Sequence, residues 1–234
     1  MASTLICVPT YDEAGNIERF VDAVLDVEAN VHLLIIDDDS PDGTGDIADR
    51  IAENDDRVFV LHRAEKQGLG RAYIDGFQWA LDREYERIVE MDADFSHRPG
   101  DLPDLLAQLD AYDVVVGSRY VAGGATENWG LFRRLISRGG GFYARTILGC
   151  DIRDLTAGFV AWRRSVLTSL DLDSVEASGY VFQIEMKYRA HRHGFRIIEV
   201  PIVFPDREVG ESKMTPDIAL EALARIWKIR LKSY

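Results

Sequence analysis

Short apolar runs alternate with longer amphipathic stretches along the first half of the chain, and this alternation restricts the fold more than any other feature. The apolar runs at 4–8, 32–36, 58–61, 88–91 and 114–116 are predicted strands, and the stretches at 14–27, 45–53, 69–82 and 102–110 are predicted helices. Strands that alternate with helices at this spacing form right-handed βαβ units. The sequence therefore predicts an α/β fold with a mostly parallel sheet that is flanked by helices.

The second half of the chain is less regular than the first. Its predicted elements are a helix at 131–148, a strand at 159–162, a helix at 182–193, a strand at 196–203, a polar loop at 205–215 and a final helix at 217–232. No internal repeat or low-complexity linker separates these elements from the first half. We therefore expect a single domain.

Two carboxylates follow the predicted strand at 88–91. Asp92 and Asp94 are two residues apart, so their side chains point to the same side while the backbone stays extended. The carboxyl end of a strand is a usual ligand position in an open α/β sheet, and paired carboxylates suit a divalent cation that also holds a substrate phosphate. An acidic turn that caps a helix is the structural alternative.

Charge is distributed unevenly in this acidic protein. The net charge of -13 argues against general binding of nucleic acids, which requires a basic surface. Between Ser118 and Arg153, however, six arginines face only two acidic residues, and the arginines are Arg119, Arg133, Arg134, Arg138, Arg145 and Arg153. This segment is either a site for an anion or a solvated helix face.

Two further polar segments are candidates for ligand binding. Asp38, at the end of the second predicted strand, has a carboxylate that can accept hydrogen bonds from a base or a ribose. The loop at 206–213 carries Arg207 and Lys213, and two such cations in a polar loop can close over a diphosphate. The alternatives are a turn that leads into a helix for the first segment and an ordinary surface loop for the second.

The order of the short motifs resembles glycosyltransferase family 2, and in particular its polyprenyl-phosphate mannosyltransferases. Among these motifs are Pro9-Thr10-Tyr11-Asp12-Glu13, Lys66-x-Gly68-Leu69-Gly70, Asp92-Ala93-Asp94, Ser137-Arg138-Gly139, Asp154-Leu155-Thr156-Ala157-Gly158-Phe159 and Gly210-Glu211-Ser212-Lys213. The resemblance covers nearly the whole chain. It implies a GT-A type, Rossmann-like domain with a nucleotide-binding half at 1–117, an acceptor-binding half with a closing loop at 118–214, and a C-terminal amphipathic helix at 215–234.

The resemblance also implies a role for individual residues. Pro9, Tyr11, Glu13 and Asp38 are expected to hold the guanine nucleoside, and Asp92, Ala93 and Asp94 to serve the ribose, the diphosphate and the metal. Arg207 and Lys213 are expected to close over the donor phosphates, while Arg119, Arg133 and Ser137 bind the acceptor phosphate, with Arg119 also near the donor. Asp92, Asp94, Arg119, Arg133 and Ser137 are the expected catalytic set.

The implied reaction moves mannose from GDP-mannose to a polyprenyl or dolichyl phosphate, with Mg²⁺ or Mn²⁺ as cofactor and inversion at the sugar. Two residues depart from the family pattern. Asp12 stands where many members have Asn, and Ser96 stands where some have a metal-contacting Gln, which leaves the third protein ligand open. A related transferase with another donor such as UDP-glucose, or a nucleotide-binding protein without catalytic activity, remains an alternative.

The expected location is the cytoplasmic face of a membrane. No run of 18 uncharged apolar residues is present, so peripheral association is expected, with or without a separate membrane-protein partner. Leu220, Leu223, Ile226, Trp227 and Leu231 lie near one face of the predicted final helix, among four cations. Such a helix lies on an anionic surface or docks on its own domain.

Overall fold

The computed structural model describes residues 3–175, 179–205 and 216–232, which form an α/β domain. Its strands are β1 (Thr4–Thr10), β2 (Val31–Asp37), β3 (Val58–His62), β4 (Arg87–Glu90), β5 (Val114–Ser118), β6 (Ala125–Thr126), β7 (Val160–Arg163), β8 (Ile197–Pro201) and β9 (Val203–Phe204). Its helices are α1 (Ile17–Val27), α2 (Thr44–Asn54), α3 (Leu69–Asp82), α4 (Leu102–Gln108), α5 (Leu131–Leu148), α6 (Arg164–Ser169), α7 (Gly179–Arg192) and α8 (Pro216–Leu231). Two 3-10 turns span Pro99–Asp101 and Leu172–Ser174.

The main sheet has seven strands in the order β3-β2-β1-β4-β7-β5-β8, and only β7 runs antiparallel to its neighbours. The chain proceeds from β1 outward to β3 and then returns to place β4 on the other side of β1. The crevice beyond the carboxyl ends of β1 and β4 is therefore a topological switch point, where open α/β sheets bind ligands. The predicted mostly parallel sheet is confirmed.

Two apolar clusters cover the two faces of the sheet. Leu5 and Cys7 of β1 belong to the cluster on the side of α3, α5, α6, α7 and α8, whereas Ile6 and Val8 belong to the cluster beside α1, α2 and α4. Helix α3 approaches the sheet closely because Gly76 has no side chain. A Cβ there would lie 2.5 Å from Ile36 Cδ1.

The second half of the chain differs from its sequence prediction in three places. The strand predicted at 196–203 divides: β8 ends at Pro201, and β9 pairs with β6 in a separate small sheet. Helix α6 and strand β6 were not predicted. Strand β7 inserts between β4 and β5, with Trp162 opposite both Ile88 and Val114, an arrangement that local periodicity does not encode.

Candidate active site

The loops after β1 and β2 are joined by hydrogen bonds and form one wall of the crevice. The main-chain N–H of Glu13 donates to Thr44 Oγ1 at 2.9 Å, and that of Ala14 donates to Asp42 Oδ2 at 3.0 Å. Although partial burial raises the pKa of Asp42, hydrogen bonds from Thr44 and Ala14 lower it further than burial raises it. The acidic turn after β2 therefore supports the loop that carries Tyr11 and Glu13.

The same wall contains the other residues predicted to hold the nucleoside. Pro9 is the penultimate residue of β1, and Asp38 directly follows β2. The Asp38 side chain is buried and accepts a hydrogen bond from the Arg63 guanidinium. Burial raises the pKa of Asp38, against the effect of Arg63 and Lys66. The Lys66 ammonium lies 3.1 Å from the centroid of the Tyr11 ring. The structure thus brings these predicted residues to one end of the sheet.

The residues after β4 are held by polar contacts from several elements. The Tyr73 hydroxyl of α3 donates to Asp92 Oδ1 at 3.1 Å, and the main-chain N–H of Asp92 donates to His97 Nδ1 at 2.9 Å. Asp94 is buried and accepts a hydrogen bond at 3.0 Å from the main-chain N–H of Ser96. These contacts fix both carboxylates of the motif at the switch point.

The donor set at this motif fits a magnesium or manganese ion. Among the described residues, no group of three or more His, Cys, Asp or Glu side chains is arranged to hold a metal. Asp92 and Asp94 supply hard oxygen ligands, and Mg²⁺ usually binds one or two carboxylates together with waters and substrate phosphates. The Ser96 hydroxyl is buried and has no hydrogen-bond partner among the described residues, while Ala93 is buried without a polar side chain. Ser96 therefore retains a polar atom that can face a ligand.

The Arg119 side chain forms a bidentate pair with a buried carboxylate. Its Nε donates to Asp154 Oδ2 at 2.8 Å, its Nη2 donates to Asp154 Oδ1 at 2.6 Å, and Nη2 also donates to Thr156 Oγ1 at 2.8 Å. Burial raises the pKa of Asp154, but the charge and hydrogen bonds of Arg119, together with the charge of Lys187, bring it below its usual value. Arg119 therefore holds the segment around Asp154 in place, a contact that its predicted phosphate role did not include.

Arg133 and Ser137, the other two predicted acceptor residues, lie one turn apart on α5. The Arg133 guanidinium lies 4.0 Å from the centroid of the Trp129 ring, and the hydroxyl groups of Ser137 and Tyr120 are 2.6 Å apart. The guanidinium of Arg119 lies 5.3 Å from the Tyr120 ring and 5.6 Å from the Trp129 ring. The three predicted acceptor residues therefore share neighbours and form one cluster.

A row of aromatic contacts joins the carboxylate motif to this arginine cluster. The His97 ring stacks on Phe159 at 5.1 Å between centroids and meets Phe204 edge-on at 5.6 Å. Phe204 in turn meets Trp129 edge-on at 5.6 Å. His97 accepts a hydrogen bond from the main-chain N–H of Asp92, and Trp129 lies under Arg133. The carboxylate motif and the arginine cluster are therefore linked through two ring contacts, His97 with Phe204 and Phe204 with Trp129.

Sequence reasoning missed two buried residues of opposite charge beneath the site, Glu90 and Lys187, which both bind the Gln183 side chain. Glu90 is fully buried and accepts a hydrogen bond from Trp162 Nε1 at 2.7 Å. The buried Lys187 ammonium donates to the carbonyl oxygens of Leu155 at 3.2 Å and Ala157 at 2.6 Å. Burial raises the pKa of Glu90 to about 7 and lowers the pKa of Lys187 to about 8. The signal in the sequence was Glu90 itself, a charged residue within the apolar run of β4.

The predicted closing loop at 206–213 lies outside the described residues. Arg207 and Lys213 lie outside the described residues, and their assignment to the donor phosphates stays a prediction. The structure places three groups at one end of the sheet: the residues predicted to hold the nucleoside, the carboxylate motif and the arginine cluster. It adds Tyr73, His97 and Asp154 as residues that hold these groups in position.

Comparisons with known proteins show the family of the chain. The family model described as Glycosyl transferase family 2 matches residues 5–170. A polyprenol monophosphomannose synthase of Mycolicibacterium smegmatis is 48% identical over 97% of this chain and 87% of its own length. An undecaprenyl-phosphate mannosyltransferase of Micrococcus luteus is 47% identical over 95% of this chain and 91% of its own length.

Solved structures share the fold at low sequence identity. Glucosyl-3-phosphoglycerate synthase from Mycobacterium tuberculosis, in complex with uridine diphosphate, matches with a TM-score of 0.70 and 21% identity over 97% of this chain and 79% of that chain. A mannosyltransferase from Pyrobaculum calidifontis, in complex with GDP-mannose and Mn²⁺, matches with a TM-score of 0.58 and 18% identity over 98% of this chain and 70% of that chain. The predicted GT-A type fold is confirmed.

Proposed function

Because the chain belongs to glycosyl transferase family 2, we propose that it transfers mannose from GDP-mannose to a polyprenyl phosphate. The names of the two curated relatives support a mannosyl group and a polyprenyl-phosphate acceptor, and both relatives are matched over most of their length. The products are GDP and a polyprenyl mannosyl phosphate. A glycosyl transfer of this kind requires that a donor site and a phosphate site lie side by side.

One observation carries the proposal: the carboxylate motif and the arginine cluster are neighbours across the aromatic contacts of Phe204. Phe204 lies 5.6 Å from the His97 ring on one side and 5.6 Å from the Trp129 ring on the other. The Arg119 guanidinium lies 5.2 Å from the Phe204 ring as well. A metal-bound sugar nucleotide at Asp94 and an acceptor phosphate near Arg133 would then lie on the two sides of Phe204, as transfer of one sugar between them requires.

The donor and the metal are the finer parts of this proposal. The mannosyltransferase from Pyrobaculum calidifontis was crystallised with GDP-mannose and Mn²⁺, which supports the choice of donor and of a divalent cation. Asp92 and Asp94 would hold the metal, and the metal would neutralise charge on the departing diphosphate. Tyr11, Glu13 and Asp38 would contact the nucleoside, and Arg207 and Lys213 would cover the phosphates.

The acceptor determines what the protein must do chemically. A phosphate monoester has a second pKa of about 6, so it is largely dianionic near neutral pH and needs positioning more than deprotonation. Arginine holds phosphate oxygens in a bidentate fork, so Arg133, with Arg119 and Ser137 nearby, would aim one oxygen at the anomeric carbon. A single displacement from the face opposite the diphosphate inverts that carbon. An α-linked donor would then give a β-mannosyl phosphate.

Contact with a membrane would occur through α5 and α8. No helix in the described ranges is long and apolar enough to cross a bilayer. On α5, Leu131, Leu135 and Phe142 are 84%, 71% and 66% exposed, and four and seven residues separate them, which is helical spacing. Trp227 and Leu231 are exposed on α8, and Trp227 Nε1 donates to the Tyr143 hydroxyl of α5 at 2.9 Å. We call these five exposed residues the α5–α8 face.

Cations flank the α5–α8 face, which supports an anionic lipid surface as its neighbour. Arg138, Lys228 and Arg230 are exposed on the same two helices, although the protein as a whole carries a net charge of -13. A peripheral site on a cytoplasmic membrane surface, with or without a partner protein, would place the arginine cluster of α5 near the lipid head groups.

A transfer assay tests the proposed function directly. Purified protein would be incubated with labelled GDP-mannose, Mg²⁺ or Mn²⁺ and a polyprenyl phosphate, and label would be counted in the lipid phase. We expect label in the lipid only when metal and acceptor are both present. UDP-glucose in place of GDP-mannose is the donor control. Transfer from UDP-glucose alone, or no transfer from either donor, would contradict the proposal.

A further inference from the structure

Trp129 carries a buried hydrogen-bond donor that no described residue satisfies. The residue is 7% exposed, and its indole N–H has no hydrogen-bond partner among the described residues. Buried donors in folded proteins nearly always have a partner, in the protein, in water or in a ligand. Asn128, directly before it, has a φ of 58°, a left-handed conformation that is uncommon outside glycine. The turn before Trp129 therefore uses a residue that tolerates a left-handed backbone better than most.

The surroundings of Trp129 are positively charged. The Arg133 guanidinium lies 4.0 Å from the centroid of the ring and the Arg119 guanidinium 5.6 Å from it. Arg134 lies one residue further along α5, and its Nε is also buried without a hydrogen-bond partner among the described residues. An atom that accepts from the indole N–H here is next to several cations, so an anionic oxygen suits the position best.

The start of α5 adds to this preference. The helix begins at Leu131, two residues after Trp129. Its N-cap residue is Gly130, which has no side chain with which to cap the helix. The first main-chain N–H groups of a helix lack partners within the helix, and the helix dipole favours an anion at this end. The indole N–H, the arginines and the helix end therefore favour the same kind of ligand.

We propose that the indole N–H of Trp129 donates a hydrogen bond to a phosphate oxygen of the acceptor. This inference rests on the proposed function and extends it with a residue to which the sequence had assigned no role. Trp129 stacks on Arg133 and precedes α5, the helix that also carries Ser137, so its ligand belongs to the arginine cluster. The donor diphosphate has the same chemistry but is expected at Asp92 and Asp94, across Phe204.

Replacement of Trp129 by Phe tests the proposal because it keeps an aromatic ring under Arg133 and removes the N–H. A hydrogen bond to a charged group is lost, so we expect the KM for polyprenyl phosphate to rise, or kcat to fall, by roughly tenfold or more. The affinity for GDP-mannose should not change. Trp79→Phe is the matched control, since the Arg83 guanidinium lies 3.8 Å from the Trp79 ring on α3.

A second measurement does not depend on catalysis. Farnesyl phosphate would be titrated into wild type and both variants in the absence of donor, with binding followed by calorimetry. We expect weaker binding only in Trp129→Phe. If that variant folds poorly, incorporation of benzothienylalanine at position 129 replaces the N–H by sulfur and retains the size of the indole.

The outcomes separate this inference from the proposed function. A Trp129→Phe variant with wild-type kcat, wild-type acceptor KM and wild-type affinity for farnesyl phosphate would overturn the inference, as would a defect confined to GDP-mannose. If wild type binds farnesyl phosphate through Trp129 but transfers no mannose, the proposed function fails and the phosphate contact stands.

Discussion

At the scale of single residues, backbone strain is concentrated in the candidate site. Five described residues other than glycine have a positive φ, and four of them lie at the site. Asp12, Asp39 and Phe95 follow β1, β2 and β4, Asn128 precedes α5, and their φ values lie between 56° and 61°. Asp and Asn tolerate this conformation, whereas a bulky residue such as Phe95 does so rarely. Strain of this kind persists where the surrounding structure enforces it, often at functional sites. The site is therefore preorganised before any ligand binds.

Replacement of Asp94 by Ala should lower kcat by about 10²–10³-fold, since it removes a fixed charge at the predicted metal position. The fold should persist, because Asp94 lies beyond the end of β4 and belongs to neither apolar cluster of the core. The measurement is the rate of mannosyl transfer against metal concentration, with circular dichroism as the control for folding. Full activity in this variant, or in wild type with EDTA, would show that the metal assignment is wrong.

The two arginines of the cluster should behave differently. Arg119→Ala leaves the buried Asp154 carboxylate without its bidentate partner, which should lower the free energy of unfolding by about 3–5 kcal/mol. Arg133→Ala should change it by less than about 1 kcal/mol and impair use of the acceptor while GDP-mannose still binds. Urea unfolding, calorimetry with GDP-mannose and acceptor kinetics separate the two. Loss of donor affinity in Arg133→Ala would mean that this arginine serves the other phosphate.

At the scale of elements, α5 and α8 each combine a packed side with an exposed one. Ala144 and Leu148 of α5 and Ile226 and Ile229 of α8 are buried in the core cluster on one face of the sheet. The exposed apolar residues of the α5–α8 face lie elsewhere on the same helices. The two roles considered for the last helix, docking on the domain and contact with a membrane, are therefore compatible. The side chain of Leu220, one of its predicted apolar residues, lies outside the described set.

The double variant Leu135→Glu/Phe142→Glu should bind anionic vesicles at least tenfold more weakly than wild type, because burial of one such side chain is worth about 1.5–3 kcal/mol. Both side chains are exposed, so the fold should be unaffected. Vesicle flotation at low and high salt is the measurement. Val27→Glu is the matched control, since Val27 is an exposed apolar residue on α1, away from this face. Equal flotation of the double variant would exclude the α5–α8 face as the contact.

At the scale of the whole molecule, buried charges connect the donor side of the site to the acceptor side. Glu90 ends β4 just before the carboxylate motif, and Lys187 of α7 holds the main-chain carbonyls on either side of Thr156. Thr156 and Asp154 in turn hold Arg119. The geometry of the two half-sites is thus set through the interior of the protein as well as through the loops around the crevice.

Replacement of Lys187 by Met should lower the free energy of unfolding by about 1–3 kcal/mol near pH 8, since it removes the ammonium that offsets the buried Glu90 charge and donates to two main-chain carbonyls. The double variant Glu90→Gln/Lys187→Met removes both charges and should recover most of this loss. Burial raises the pKa of Glu90 to about 7, and loss of the nearby ammonium would raise it further. With its folded-state pKa raised in this way, Glu90 is protonated and neutral at pH 5 and does not need a nearby cation. The loss of stability relative to wild type should therefore be smaller at pH 5 than at pH 8.

Urea unfolding of the three proteins at both pH values is the measurement. An equal loss at pH 5 and pH 8, or a double variant no more stable than Lys187→Met, would show that the charges of Glu90 and Lys187 do not stabilise each other.

Local sequence patterns determined the elements and the position of the carboxylate motif. Helices α3 and α5 begin and end where their apolar periodicity predicts, at Leu69–Asp82 and Leu131–Leu148. Strand β4 ends at Glu90, one residue before its predicted end, so Asp92 and Asp94 lie beyond the sheet as expected. These features depend on neighbours within a few positions in the chain, and residue spacing records such neighbours directly.

Contacts between distant parts of the chain were decided only by the tertiary structure. Arg119 meets Asp154 across 35 positions, Glu90 meets Gln183 across 93, and β7 reverses its direction to lie between β4 and β5. The composition of the 118–153 segment allowed a site for an anion or a solvated helix face. It did not predict that Arg119 would be paired with a buried carboxylate, or that the Trp129 N–H would have no partner among the described residues. A sequence specifies which groups are present, whereas packing of the whole chain determines which of them are satisfied by the protein and which remain for a ligand.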